Sequence, residues 1–233
     1  DVYKRQGRIL AKKYEVLEQL GHGWEGEVYL VKELLTGIER AAKFFYPQRN
    51  KGNKSLKLYA QKLHKLRHCP ILIQYFTQDT IVFRGAEISF LVSDYVEGEL
   101  LSSFLNRQKA KRLEPFQAVH LLHALAIGIE SIHQMQEYHG DLHSGNIIVS
   151  KYGLQHHLKL MDLYLSEGSK RENQRDDIVG LIQIFYEALG GQKYYAKQPD
   201  AIKYICSGLK ISLILKKFKT IAQLRLHIEN MDW

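Results

Sequence analysis

The feature that most constrains this chain is a change of patterning at Glu97-Gly98. Before it, apolar residues fall in short β-branched and aromatic runs broken by glycine; after it, they fall at helical spacing. From Tyr14 to Phe45 three antiparallel strands are expected, punctuated by Gly21, Gly23, Gly26 and the turn Leu35-Thr36-Gly37. Residues 53 to 67 put Leu56, Tyr59, Ala60, Leu63 and Leu66 on one helical stripe, with Lys54, Lys57, Lys62 and Lys65 outside it. Ile71 to Phe76 and Ile88 to Tyr95 read as two more strands. Beyond the switch, Pro115 opens a long helix whose stripe of Phe116, Val119, Leu122, Ala126, Ile129 and Ile132 needs burial. Short strands at Ile147 to Val149 and Leu158 to Met161 flank a Tyr152-Gly153 turn. Asp176 to Leu189 reads as a second buried helix, and residues 199 to 231 as helical. The plan is an α+β one, with a small antiparallel β-sheet lobe (7–96) carrying one helix and a mainly α-helical lobe (97–233).

Composition narrows the classes. Of 233 residues 45% are hydrophobic and 25% charged, with only 4 Pro, which excludes a disordered or fibrous chain. No apolar run approaches the roughly 18 residues that cross a bilayer, and the first thirty residues lack the order of a signal peptide, so a cytoplasmic protein is expected. Cys69 and Cys206 are too few and too distant for a disulfide framework, and read as buried thiols. Residues 1 to 6, DVYKRQ, resemble the translation of a sequencing adapter and are set aside from the fold.

Leu20-Gly21-His22-Gly23-Trp24-Glu25-Gly26-Glu27-Val28 is a GxGxxGxV string between two expected strands. With no helix following, it suits a hairpin whose bare backbone can approach a phosphate, rather than a dinucleotide-binding turn; glycines also mark ordinary hairpins. Fifteen positions after Val28 comes Lys43, in Ala41-Ala42-Lys43-Phe44-Phe45. An inward ammonium on an apolar strand needs an anion, which phosphate oxygens would supply, and the small Ala41 leaves room for an adenine ring; a snorkelling lysine is the plainer alternative.

Tyr138-His139-Gly140-Asp141-Leu142-His143-Ser144-Gly145-Asn146-Ile147-Ile148 is the most informative stretch. Asp141 and Asn146, five apart on a loop between helix and strand, suit a base that receives a hydroxyl proton and an amide oxygen that faces a divalent ion. Sixteen residues on, Asp162 ends a short strand, where it can bind the same Mg²⁺.

These motifs, in this order, resemble the protein kinase superfamily over residues 14 to about 230. The resemblance implies a bilobal protein-kinase-like fold and a compact bacterial phosphotransferase using ATP and Mg²⁺. It implies that Leu20, Gly21, His22, Gly23, Gly26 and Val28 cover the nucleotide, that Lys43 binds the α/β-phosphates, and that Asp141 is the catalytic base. Asn146 and Asp162 would hold the metal. Leu91-Val92-Ser93-Asp94-Tyr95-Val96 resembles the kinase hinge, with backbone groups of Asp94 and Val96 on adenine, Ser93 as gatekeeper and Ile148 as the floor. Asp177 resembles the acid that anchors the catalytic loop; helix N-terminal charge accounts for it equally.

Departures bear on activity. No acidic residue lies between Glu39 and Asp79, so the helix expected to offer a glutamate to Lys43 has Tyr59 in its place; Glu39, Glu87 or another acid would have to substitute. His139-Gly140-Asp141 stands where His-Arg-Asp is usual, a form that resembles aminoglycoside phosphotransferases, and no receptor for an activation-loop phosphate is evident. Asp177 follows Asp162 by 15 positions with no Ala-Pro-Glu after it, so the peptide-docking platform is missing. A protein Ser/Thr hydroxyl is the first expectation for the acceptor; a sugar, aminoglycoside or lipid-saccharide hydroxyl and a nucleotide-binding pseudokinase are the alternatives.

Arg49, Lys51, Lys54, Lys57, Lys62, Lys65 and Arg67 carry positive charge without a negative neighbour, which suits a solvated face or an acidic partner; few interleaved aromatics argue against nucleic acid. His120, His123, His156 and His157 lack metal-site spacing, and Ser144 and Ser166 lack a GxSxG elbow. His139 is expected to brace the catalytic loop by hydrogen bonds.

Overall fold

The computed structural model describes residues 6–152, 155–165 and 168–231. The adapter-like residues before Gln6, Gly153 of the expected turn, and Ser166 lie outside these. The chain divides into two compact units: one runs to His68 and resumes at Ile73–Val96, the other comprises Cys69–Leu72 and the chain from Glu97 onward.

The first unit is a six-stranded antiparallel sheet with one helix. Strands β1 (Ile9–Leu10), β2 (Tyr14–His22), β3 (Gly26–Glu33) and β4 (Glu39–Phe45) precede α1 (Lys54–Lys65); β5 (Tyr75–Phe83) and β6 (Ala86–Asp94) follow, in the order β1-β2-β3-β4-β6-β5. Period-two alternation decides the faces: Val16, Tyr29, Val31, Ala42, Phe44, Ile88, Phe90 and Val92 form one apolar cluster, in which Phe44 stacks on Phe90 at 4.6 Å. The intervening residues, Lys43 among them, face the other way.

Two expectations need correction here. The strand expected at Ile71 to Phe76 is displaced to Tyr75–Phe83. As an edge strand β5 buries little, so Gln78, Asp79 and Thr80 break its apolar run, while Ile71 and Leu72 serve the second unit instead. Lys62 is buried, although placed outside the stripe: it stands three residues from Tyr59 and beside Leu63, both buried, so the covered face of α1 is wider than the apolar stripe.

The second unit contains β7 (Glu99–Leu100), α2 (Leu101–Arg107), α3 (Pro115–Gln134), β8 (Ile147–Tyr152), β9 (Gln155–Leu160) and α4 (Lys170–Ala188). Four shorter helices complete it: α5 (Gln192–Tyr195), α6 (Asp200–Cys206), α7 (Ile211–Lys217) and α8 (Ile221–Glu229). Helix α3 packs against α4 and α8 through Leu122, Leu125, Ala126, Ile129 and Ile132, all fully buried. Phe116 departs from the expected stripe: in the first turn it is 60% exposed, with His120 edge-on at 4.4 Å. The periodicity continues to the helix start, but burial ends where packing does. Ile71 lies against the backbone of α3 at Gly128, where an added Cβ would come within 2.0 Å of Ile71 Cδ1. Leu72 bridges to Leu160, and Lys159 Nζ donates to Pro70 O at 2.6 Å, which ties residues 69–72 to this unit.

Helix α4 starts earlier than Asp176. Ser169 caps it, accepting from Glu172 N–H, while Glu172 Oε2 accepts from Ser169 N–H at 2.9 Å. That cap holds the Glu172 carboxyl below its usual range, the Ser169 hydroxyl bond being the largest cause. Both cysteines are buried thiols; burial pushes Cys206 up to about 12. No helix among the described residues is long and apolar enough to cross a membrane.

Candidate functional site

In the first unit the glycine string forms the β2–β3 hairpin, closed by Gly23 N–H donating to Gly26 O at 2.8 Å. Gly26 pairs with Phe45, and a Cβ there would lie 1.8 Å from Phe44 O, so only glycine lets β3 start against β4. At Gly21 and Gly23 a Cβ would meet no atom within 4 Å, which leaves the outer rim of the hairpin open to a ligand. Gly21 pairs with Val28, Val28 with Lys43 and Lys43 with Leu91; Leu30, Ala41 and Ser93 form the next row but one. Cross-strand partners share a face, so Val28, Ala41, Lys43 and Ser93 are brought together on one side of the sheet. Leu20 sits at a register irregularity and is largely exposed. His22 pairs with Glu27, whose carboxylate accepts from Tyr29 OH at 2.6 Å, so its register sets it on the opposite face from Lys43. Asp94 closes β6: its N–H donates to Gln74 O at 2.9 Å and its carboxylate stands 3.6 Å from the Arg40 guanidinium, while Val96 ends the unit.

The Lys43 ammonium has an acid partner after all. Its Nζ is 3.0 Å from Glu25 Oε2, 4.5 Å from the Tyr59 ring centroid and 5.5 Å from that of Phe45. Tyr59 thus stands beside Lys43, as the helix count implied, but contributes a ring face rather than a carboxylate. The substitute is neither Glu39 nor Glu87. Scanning residues 39 to 79 for an acid could not find Glu25, which lies 18 residues before Lys43 inside the glycine string; only the β3–β4 register, in which Gly26 pairs with Phe45, brings its neighbour alongside β4.

In the second unit the stretch around Asp141 is braced from three directions. Asp177, only 1% exposed, accepts from His139 N–H at 2.8 Å and Gly140 N–H at 2.9 Å, and meets His133 Nε2 at 2.9 Å. It lies two turns inside α4, so helix N-terminal charge does not account for it. His139, fully buried, places Nε2 3.0 Å from Met161 O, and its own carbonyl accepts from Tyr164 N–H at 2.9 Å. The ring braces the loop, as expected. Gly140 has φ +89°, and a Cβ there would lie 2.9 Å from Tyr164 O. An arginine at this position would be strained and crowded, which explains the His-Gly-Asp form physically.

Asn146 Nδ2 donates to the Asp141 backbone oxygen at 2.9 Å and to Asp141 Oδ2 at 3.1 Å, which turns Asn146 Oδ1 away from Asp141. Met161 N–H donates to Asn146 O at 3.1 Å, and Asp162 follows at φ +57°, a left-handed conformation that Asp tolerates. The fold therefore gathers Asp141, Asn146 and the backbone leading to Asp162. His143 Nδ1 accepts from Gly145 N–H at 3.1 Å, and its Nε2 is 3.6 Å from Asp141 Oδ2. Ile148 lies on β8, paired with Leu100 and Lys159. That the carboxylate holding the loop, Asp177, lies more than thirty residues further along the chain and is shared with His133 is what spacing alone does not display.

Among the other candidates, His123 is paired with Glu229 at 2.9 Å, and Ser144 Oγ donates to Glu187 at 3.0 Å. Among the described residues no group of His, Cys, Asp and Glu has the arrangement of a metal-binding cluster. Of the basic set on and before α1, Arg49 stacks over the Trp24 ring at 3.3 Å, and Lys51, Lys54 and Lys57 are exposed.

Known proteins agree with this layout. Residues 14–204 match the protein kinase domain family. The serine/threonine-protein kinase PrkC of Bacillus subtilis is 25% identical over 211 residues, 80% of this chain and 32% of that protein. The probable serine/threonine-protein kinase YbdM of the same organism is 24% identical over 228 residues, 94% of this chain and 86% of that protein. This chain thus spans about a third of PrkC and most of YbdM. A crystal structure of the PknI kinase domain of Mycobacterium tuberculosis superposes with a TM-score of 0.66 at 18% identity, covering 97% of each chain. The antiparallel sheet with its helix, the helical second unit and the match across 14–204 lead to one conclusion: the chain belongs to the protein kinase domain family.

Proposed function

We propose that this chain transfers the γ-phosphoryl group of ATP to a serine or threonine hydroxyl of a protein. The observation that carries the reading is the braced Asp141: a carboxylate about half exposed, oriented by Asn146 Nδ2, on a loop anchored by the buried Asp177. A base must be held in place yet reach its substrate, and this arrangement does both. The chemistry of the donors fits the cofactors. Asn146 Oδ1 and the Asp162 carboxylate are hard oxygens suited to Mg²⁺, and the open rim at Gly21 and Gly23 suits phosphate. Bound Mg²⁺·ATP supplies the phosphoryl group and a cation to neutralise its oxygens.

The chain's own residues do the rest. Lys43 presents an ammonium to phosphate oxygens from the face it shares with Val28 and Ala41, against which adenine would lie with backbone groups of Asp94 and Val96. Asp141 orients the attacking hydroxyl and receives its proton. Catalysis on this reading is chiefly positioning and charge stabilisation. The names of PrkC and YbdM support a Ser/Thr acceptor.

One observation favours a second acceptor class. Helix α4 opens at Lys170, soon after Asp162 and without an Ala-Pro-Glu segment, and the His-Gly-Asp form of the loop resembles that of aminoglycoside phosphotransferases. A small hydroxyl acceptor needs no peptide platform. Transfer of labelled γ-phosphate to Ser/Thr-containing proteins and, in parallel, to sugars and aminoglycosides tests both. Label on protein, abolished by Asp141→Asn and Lys43→Met and by Mg²⁺ removal, is the expected result. Label on the small molecules alone would replace the protein acceptor, and no transfer to any acceptor would refute the enzyme reading.

A further inference from the structure

We infer that Glu25, in the turn of the glycine hairpin, is the positioning residue for Lys43, doing there what α1 cannot do with Tyr59. The inference rests on the phosphotransferase reading and deepens it. The side chain of Lys43 is 14% exposed and set among apolar strands, so its charge needs a nearby anion to stay in one place. Helix α1 offers none, since no acid occurs between Glu39 and Asp79. Glu25 supplies it at 3.0 Å.

The acid is itself held by groups other than Lys43. Its carbonyl accepts from Tyr46 N–H at 2.9 Å, tying the turn to the residue after β4. Gly23 and Gly26 close the turn on either side of it, and the neighbouring Trp24 lies under the Arg49 guanidinium at 3.3 Å, where cation–π attraction holds the hairpin tip. The carboxylate therefore arrives at Lys43 from a fixed backbone. On the ammonium's other sides, the faces of Tyr59 and Phe45 restrict its swing. An ammonium has three donors, so pairing with Glu25 is compatible with phosphate contact. The positioning acid then rides on the same hairpin that covers the phosphates, and the setting of Lys43 follows the hairpin rather than a helix.

The test uses the whole chain as wild type, Glu25→Gln, Glu25→Asp and the double variant Glu25→Gln/Tyr59→Glu. The Glu25 side chain is 27% exposed, so the single substitutions should leave the sheet folded; Tyr59 is buried, so circular dichroism and a thermal melt check the double variant before it is compared. Three quantities are read: the rate at which a water-soluble amine-acylating reagent modifies Lys43, by peptide mass mapping without nucleotide; the Kd for a fluorescent ATP analogue with Mg²⁺; and kcat. Losing Glu25 should speed Lys43 modification severalfold, and Tyr59→Glu in the double variant should slow it again. For Glu25→Gln, kcat should fall by about tenfold to a hundredfold, about 1.4 to 2.8 kcal/mol of barrier. Its nucleotide Kd should stay within about threefold, the pattern of lost transition-state positioning rather than lost binding. Glu25→Asp and the double variant should recover part of kcat.

Unchanged Lys43 modification together with kcat within about twofold of wild type would overturn the inference. So would a nucleotide Kd at least tenfold tighter at unchanged kcat, since Glu25 would then be competing with phosphate for the ammonium. A wild type that transfers no phosphate but shows the modification pattern would refute the phosphotransferase reading while upholding the Glu25–Lys43 pairing.

Discussion

Asp177→Asn isolates the anchoring of the Asp141 loop in a near-isosteric change. Two carboxylate oxygens now serve three donors: Oδ2 takes His139 N–H and His133 Nε2, and Oδ1 takes Gly140 N–H. In the better of its two orientations, asparagine puts its oxygen at the first pair and turns its own NH₂ toward Gly140 N–H. Two donors then face each other at a site 1% exposed, where water cannot relieve them. One charge-assisted bond, worth about 1.5 to 3 kcal/mol, is lost, the other two lose their charge assistance, and a buried donor is left unsatisfied, so the expected loss of stability is about 2 to 4 kcal/mol. Urea unfolding should show this as a lower midpoint at unchanged m-value. Hydrogen exchange should show lost protection at the amides of His139 and Gly140 in particular. The exposed neighbour Asp176 serves as control, with Asp176→Asn expected within about 0.5 kcal/mol of wild type. A cost for Asp177→Asn as small as that of the control, with both amides still protected, would refute the reasoning.

Three further outcomes follow from local geometry. Gly26→Ala forces a methyl to within 1.8 Å of the Phe44 carbonyl, so β3 and β4 must separate at the hairpin; a cost of about 1 to 3 kcal/mol by thermal unfolding is expected, and Gly23→Ala, with open space around it, should cost less. Ser169→Ala removes the α4 cap and should cost about 1 kcal/mol, read by urea titration, with Ser169→Asp largely retaining the cap. His227, beside Tyr204 and Phe218, has its pKa lowered by burial and by Lys217. The unfolded chain therefore binds that proton more readily than the folded one. Its contribution to stability is present above about pH 6.5 and is lost as pH falls below that, and His227→Phe should flatten that part of the stability profile.

Much of the fold is legible because its cause is local. Period-two alternation places Phe44 in the cluster with Phe90 and turns Lys43 to the opposite face, and the order of patterns separates a sheet unit from a helical one. Edge strands are harder to read. Burial on only part of one face leaves β5 without an apolar run, so its register is set by pairing with β6 rather than by its own composition. The exposed Phe116 and the buried Lys62 show the same limit from both sides: periodicity names a stripe, but packing partners decide where that stripe is covered.

By itself the sequence determined which chemistry-bearing groups this protein has and the loops that carry them: the glycine hairpin, Lys43 on its strand, and Asp141, Asn146 and Asp162 at short spacings. Those spacings are informative because a loop of five residues can only do a few things with an acid and an amide. Tertiary structure alone decided the long-range partnerships. It brought Glu25 to Lys43 across the β3–β4 register, and set the Asp177 carboxylate of α4 against the amides of His139 and Gly140 and the ring of His133. Buried polar groups must be satisfied by whatever donor or acceptor the packing delivers. Asp177 could be singled out by resemblance, but the three donors it satisfies and the pairing of Glu25 with Lys43 become visible only when the strands and helices have taken their places.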